Sequence, residues 1–264
     1  FALDPASGAV KWTHLGIGED VSVLATSAPI AKGNTLIIQY TSGEIYAIDA
    51  DLNVSKFTSV DPQGRLSAIG LTVDTGRDLL WAVGAAFELA ENADLESANF
   101  TGLFGFDLTT GKLERDYRIA EEDIGFNDVT VGSNGTVYIS GGGIHFLDEE
   151  RDDLIAVDTS EEIFGSNGVA IDPSGSTLFT SSYPVGLAAI DPLTGQTRFL
   201  DAPGPHTLYG IDGLYWHDGG LIAVQNGTRP WRLLRIKLND QHTAITALDV
   251  VERGGEIMTP TTGA

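Results

Sequence analysis

Three segments of this chain are variations on one unit: FNDVTVGSNGTVYIS from Phe126, SNGVAIDPSGSTLFTSS from Ser166 and IDGLYWHDGGLIAVQNG from Ile211. Each sets a carboxamide or carboxylate ahead of an apolar strand, a glycine-containing turn and a second strand, which is the pattern of a β-hairpin. Asn127, Asn167 and Asp212 therefore hold equivalent positions, 40 and 45 residues apart. That period matches the ~40–50 residues of four-stranded propeller blades, and it would bring three polar groups to one axis.

A second half-unit alternates with the first: a strand, usually ending in Asp, a polar turn and another strand. It occurs at residues 1–12, 45–57, 103–117, 154–164, 187–200 and 233–248. Neither half can bury both of its faces alone, so four-stranded sheets stacked radially are the economical solution. Six second halves predict an all-β, six-bladed propeller forming a single domain over residues 1–264. First halves begin near Thr26, Ile69, Asn127, Asn167 and Asp212, and a sixth starts within 259–264, where the sequence ends. The expectation is a ring in which hairpin 1–12 supplies the outer strands of a closing blade, its inner pair begins at 259–264, and the blade is incomplete because the chain is truncated. The longest interval, 58 residues from Ile69 to Asn127, carries its excess at 84–102. Glu88, Glu91, Asp94 and Glu96 make that stretch an acidic surface insertion or a lid over the same rim.

Composition narrows the partners. Fifteen basic against 37 acidic residues give a formal charge of -22, which repels nucleic acid and anionic membranes, because binding there depends on neutralising phosphates. There are no cysteines, so disulfides, thiolate metal sites and cysteine nucleophiles are excluded. No run of about 18 apolar residues could span a bilayer. A monomer in an extracytoplasmic setting, periplasmic or secreted, acting on a small molecule is expected.

Aligning the inner strands on Ile30, Val73, Val131, Ile171 and Trp216 puts Thr26, Ile69, Asn127, Asn167, Asp212 and Thr262 at the axial entrance. Three consecutive positions offer oxygen ligands. Asn carbonyls with a carboxylate form the hard-oxygen set that calcium or magnesium prefers; Asn-Gly and Asp-Gly are also turn dipeptides. The hairpin turns, however, are already supplied about seven residues later, so Asn167-Gly168 and Asp212-Gly213 are surplus to turn chemistry.

The FNDV, SNGVAIDPSGSTLF and IDGLYW segments resemble the corresponding blades of the SMP-30/gluconolactonase/LRE-like family, six-bladed propellers akin to paraoxonases and strictosidine-synthase-like proteins. The resemblance covers about 103–262. It implies a divalent metal, calcium above magnesium, manganese or zinc, held by Asn167 and Asp212, with Asn127 touching metal or substrate. It further implies lactone hydrolysis, in which the cation polarises the carbonyl and Asp212 serves as general base. The chain departs from that family at Thr262, where a Glu ligand is usual.

Other rim candidates are His206 as a base beside Asp212, and His145, Tyr183 and Arg229 as substrate contacts. No GxSxG elbow, P-loop or HExxH is present. Two alternatives to a hydrolase remain: a non-catalytic propeller that binds a ligand or protein partner, and a quinone-dependent dehydrogenase, since FALDPASGAVKW resembles a quinone-type propeller repeat.

Overall fold

The structure is a computed structural model that describes residues 2–3, 10–12, 29–86, 90–92, 100–120 and 125–254. It is an all-β propeller. Blade I comprises β3 (Ile30–Lys32), β4 (Thr35–Gln39), β5 (Glu44–Ile48) and β6 (Val54–Ser59); blade II comprises β7 (Ser67–Asp74), β8 (Leu79–Ala85), β9 (Thr101–Asp107) and β10 (Leu113–Ile119). Blade III is built from β11 (Val129–Val131), β12 (Val137–Ser140), β13 (Ile144–Asp148) and β14 (Asp153–Ala156). Blade IV is built from β15 (Ser166–Ile171), β16 (Leu178–Ser182), β17 (Gly186–Ile190) and β18 (Thr197–Phe199). Blade V contains β19 (Ile211–His217), β20 (Gly220–Gln225), β21 (Arg232–Leu238) and β22 (Ile245–Arg253).

Among the described residues the blades number five, not the expected six. The N-terminal unit forms only a two-stranded sheet of β1 (Ala2–Leu3) and β2 (Val10–Trp12). The repeated motif marks a hairpin, and no inner pair stands beside this one among the described residues. Thr26 and Thr262 lie outside the described residues, as do Glu88, Asp94 and Glu96 of the expected lid and the 259–264 strand.

The core lies between blades rather than inside them. Successive strand residues point to opposite faces, and β8 divides accordingly: Leu79, Trp81 and Val83 pack with Val129, Val137 and Ile139 of blade III, while Leu80 and Ala82 pack with Ile37 and Ile45 of blade I. Matching clusters join blades III and IV around Ile144 and Leu178, and blades IV and V around Phe179 and Leu214. Each fully buried side chain of this kind contributes about 1.5–3 kcal/mol.

The recurrent Asp has a structural cause. Asp49 Oδ1 accepts the N–H of Asp51 and of Asn53, both at 2.9 Å, and Asp107, Asp148 and Asp191 close the same third-to-fourth-strand turn in blades II, III and IV. Asn239 replaces them in blade V. Blade III is phased one strand earlier than expected: its third strand is Ile144–Asp148, and Leu154 belongs to the fourth. The tight 141–143 connection, in which Ser140 pairs with Ile144, sets that phase.

Forward contacts tie blade I to II, blade III to IV and blade IV to V at the axial end. Gln39 Nε2 donates to Ile69 O at 2.5 Å, Ser140 Oγ donates to Asn167 O, and Ser181 Oγ donates to Ile211 O at 2.8 Å. The first strands carry β-bulges at this end, between Ala68 and Gly70, Ser166 and Val169, and Ile211 and Gly213. A bulge re-aims side chains and leaves main-chain groups unpaired, and here it does so where the candidate residues stand.

Candidate functional site

A cavity of about 230 Å3 opens along the inner strands, lined by Leu71 and Thr72 of β7, Asp128 through Val131, Val169 through Ile171, and Leu214 through Trp216. Asp128 is the acid in its lining, and Asp212 lies two residues ahead of Leu214 on β19. Ile69, Asn127 and Asn167 are each followed by a residue that touches the next blade. A Cβ on Gly70 would lie 2.7 Å from Asp128 Cα, and one on Gly168 would lie 2.5 Å from Leu214 N. Among the described residues at this second position, blade III carries the side chain and blades II, IV and V carry glycine.

That side chain is Asp128, which the sequence reading passed over. Its carboxylate accepts Val129 N at 2.9 Å and, across the blade boundary, Val169 N at 3.3 Å. Burial pushes the acid up to about 7, and the nearby Asp212 charge pushes the same way, against the two N–H donors. Burial likewise raises Asp212 to about 6, opposed by the Asn226 carboxamide. No cation contributes to either group. The sequence did carry one signal: Asp128 follows Asn127 where glycine follows Asn167 and Asp212.

Asp212 sits in the bulge of β19, half-buried, with Asn226 Nδ2 donating to its Oδ2 at 2.6 Å. Asn226 in turn accepts the Tyr183 hydroxyl at 2.8 Å. The Tyr183 phenol is raised by burial and by the Asp212 charge. Asn226 was another residue missed by sequence reading, since QNG reads as an ordinary turn.

The remaining candidates separate. Asn127 and Asn167 are half-buried at the mouth, and their carboxamides make no hydrogen bond to the described residues. His206 is half-buried in the β18–β19 connection, without a hydrogen bond to Asp212. His145 lies within β13, 6% exposed and edge-on to Phe126 at 5.3 Å, so it faces core rather than rim. Arg229 is exposed, its guanidinium 5.2 Å from the Trp231 ring centre.

A larger groove of about 560 Å3 lies elsewhere, between β10 and the turn at 149–152. Several of its polar groups are paired: Arg77 bridges Asp74 and Glu149, and the Tyr117 hydroxyl donates to Asp152 at 2.7 Å. The candidate residues lie instead toward the smaller axial cavity. There, among the described residues, no three His, Cys, Asp or Glu side chains converge as a metal-holding group. The oxygens on hand are two carboxylates and two carboxamides, a hard-donor set. A cation there would relieve the repulsion between the two acids.

Comparison with known proteins places the fold. A family model described as PQQ_2, outer membrane protein assembly factor BamB, matches residues 1–161. That is a different branch of propellers from the SMP-30 resemblance. No curated protein sequence matches the chain. Among solved structures, virginiamycin B lyase from Staphylococcus aureus is similar at 14% identity and a TM-score of 0.65, over 93% of this chain and 76% of that one. A putative oxidoreductase (glucose dehydrogenase) from Thermus thermophilus gives 14% identity and a TM-score of 0.60, over 88% and 85% of the two chains. A protein of unknown function from Bacteroides caccae gives 9% identity and a TM-score of 0.67, over 98% and 92%. At these identities the likeness shows the fold alone.

Proposed function

This chain belongs to the PQQ_2 family, described as outer membrane protein assembly factor BamB, and we propose that its axial mouth is an acid–base site that opens lactones or related esters of small polar molecules. The observation that carries this reading is the pair Asp128 and Asp212, two desolvated carboxylates close enough to repel, with no cationic partner among the described residues. Holding such a pair without counter-charge costs stability, and proteins concentrate that arrangement at working sites.

The roles follow from the hydrogen bonds. Asn226 occupies Asp212 Oδ2, so Oδ1 is the atom left to take a proton from the attacking water. Asp128, whose proton burial retains to higher pH, would supply the proton to the departing oxygen. A divalent cation of the calcium type suits the oxygens of Asp128, Asp212, Asn127 and Asn167, and when bound it polarises the ester carbonyl. Tyr183 and Arg229 stand on the rim where the rest of a substrate would lie.

The test is hydrolysis of a panel of small lactones by the wild type, Asp212→Asn and Asp128→Asn, in chelator and in millimolar calcium. Loss of turnover in both variants supports the reading; wild-type rates in Asp212→Asn overturn it. A second reading, a non-catalytic propeller that binds a partner, is favoured by the family description itself. The matched residues 1–161 stop short of Asn167 and Asp212. The same description supports an extracytoplasmic, periplasmic setting. Quinone-dependent dehydrogenation rests on the 1–12 segment within that match and on the putative glucose dehydrogenase among the structural neighbours.

A further inference from the structure

Asp212 ends a two-step hydrogen-bond relay that begins in the neighbouring blade. The Tyr183 hydroxyl, on the β16–β17 connection of blade IV, donates to Asn226 Oδ1 at 2.8 Å, and Asn226 Nδ2, after β20 of blade V, donates to Asp212 Oδ2 at 2.6 Å. A carboxamide offers an acceptor on one side and donors on the other, and by itself either can face a neighbour. The ionised Asp212 removes the choice, because it can only accept, which turns Nδ2 toward it and leaves Oδ1 to accept the Tyr183 hydroxyl.

Main-chain bonds fix Tyr183 in turn. Its N–H donates to Gly165 O at 3.1 Å, its carbonyl accepts Gly210 N at 2.8 Å, and Gly210 O accepts both Asn226 N and Gly227 N at 3.0 Å. Gly210 and Gly227 meet backbone to backbone. A Cβ on Gly210 would lie 2.3 Å from Gly227 Cα, and one on Gly227 would lie 2.9 Å from the Tyr183 hydroxyl. The rims of blades IV and V are thus pinned together beside the relay. Packing alone needs none of this polarity, since an apolar pair would fill the same space without burying polar atoms that must all be satisfied.

We propose that Tyr183 and Asn226 are positioning residues for Asp212, holding its carboxylate with Oδ2 engaged and Oδ1 free for the ligand at the axial mouth. The inference rests on the acid–base reading of Asp212. It places the orientation of one blade's acid under the control of a hydroxyl on the preceding blade.

Tyr183→Phe deletes only the hydroxyl, and Asn226→Ala deletes the relay. The expected result is a kcat about tenfold lower for the first and about a hundredfold lower for the second, with KM within about twofold, since misplacement of a reacting group acts on the transition state. A readout independent of turnover is the Asn226 side-chain amide in NMR. In the wild type its protons should exchange more slowly than those of exposed Asn134, and Tyr183→Phe should abolish the difference while melting stays cooperative. If the wild type turns over no lactone yet shows the protected amide and its loss in Tyr183→Phe, the positioning holds and the hydrolase reading fails. Asn226 amide protons that exchange as fast as those of Asn134 in the wild type overturn the proposal, as does a Tyr183→Phe variant with unchanged exchange and kcat.

Discussion

The N–H of Val169 on blade IV donates to the Asp128 carboxylate on blade III at 3.3 Å. The bond crosses a blade boundary at a bulge, and it uses the one axial acid whose protonation lies near neutrality. Blade packing and the charge of the mouth are thereby linked.

Asp128 makes stability pH-dependent in a known direction. Its folded value, about 7, lies above that of an unfolded Asp, so the native state holds the proton longer. The stability tied to that proton is full below pH of about 4 and is lost as pH rises through about 7. In chelator-treated protein, Asp128→Asn should be more stable than wild type at pH 8 by about 1–3 kcal/mol, with the difference shrinking toward pH 4. Thermal melts across that range decide it.

Asp61 behaves oppositely. Burial pushes it up, but the Arg65 guanidinium, 3.0 Å away, and the N–H groups of Arg65 and Gln63 outweigh burial and hold it below the usual carboxylate value. Its contribution is present above the unfolded pKa of about 4 and disappears as pH falls through the folded one. Asp61→Asn should cost about 2 kcal/mol at pH 7 and progressively less as pH falls below about 4; urea titrations down that range would show an unchanged gap if this is wrong.

Gly210 has φ of +64° and Gly227 pressed against it. Gly210→Ala meets strain and collision together, so a loss of about 3 kcal/mol or more is expected. By contrast Gly219, also at positive φ but with open space around it, should cost only about 1 kcal/mol when replaced by Ala. Denaturant midpoints of the two variants should differ clearly.

Calcium at millimolar concentration should raise the melting temperature, and chelator should reverse the gain. At a hundredfold excess over Kd the stabilisation is about 2.7 kcal/mol. Asp212→Asn should erase most of it; a rise equal to that of wild type would remove Asp212 from the ligand set.

Much of the fold was legible because the blade repeats its own chemistry. The hairpin turns at 133–135, 173–175 and 218–219 form where their glycines stand, with Gly135, Gly175 and Gly219 all at positive φ. The period that placed Asn127, Asn167 and Asp212 at one end of successive first strands follows from the same repetition. The blade count did not follow, because a third-to-fourth-strand motif has the same appearance with or without an inner pair. Phasing failed at blade III for a related reason: Ile144–Asp148 and 154–158 are both apolar runs ending in Asp, and the short glycine connection rather than either run decides between them. Asp128 was hidden by counting only the first residue of each strand. The Tyr183–Asn226 contact joins residues 43 apart through a side chain and two loops, a relationship that no local pattern encodes.

Gln39, Ser140 and Ser181 each reach toward a carbonyl that comes later in the chain. In these three clasps the holder is synthesised before the held, whereas Ser166 Oγ of blade IV reaches back to Gly141 O and Gly143 O. At these boundaries a nascent chain can dock a blade onto a finished one as it emerges, in the order of translation. Such a molecule should tolerate new sequence between blades more readily than the loss of a single early hydroxyl or carboxamide, since a missing clasp leaves every later blade to find its neighbour unaided.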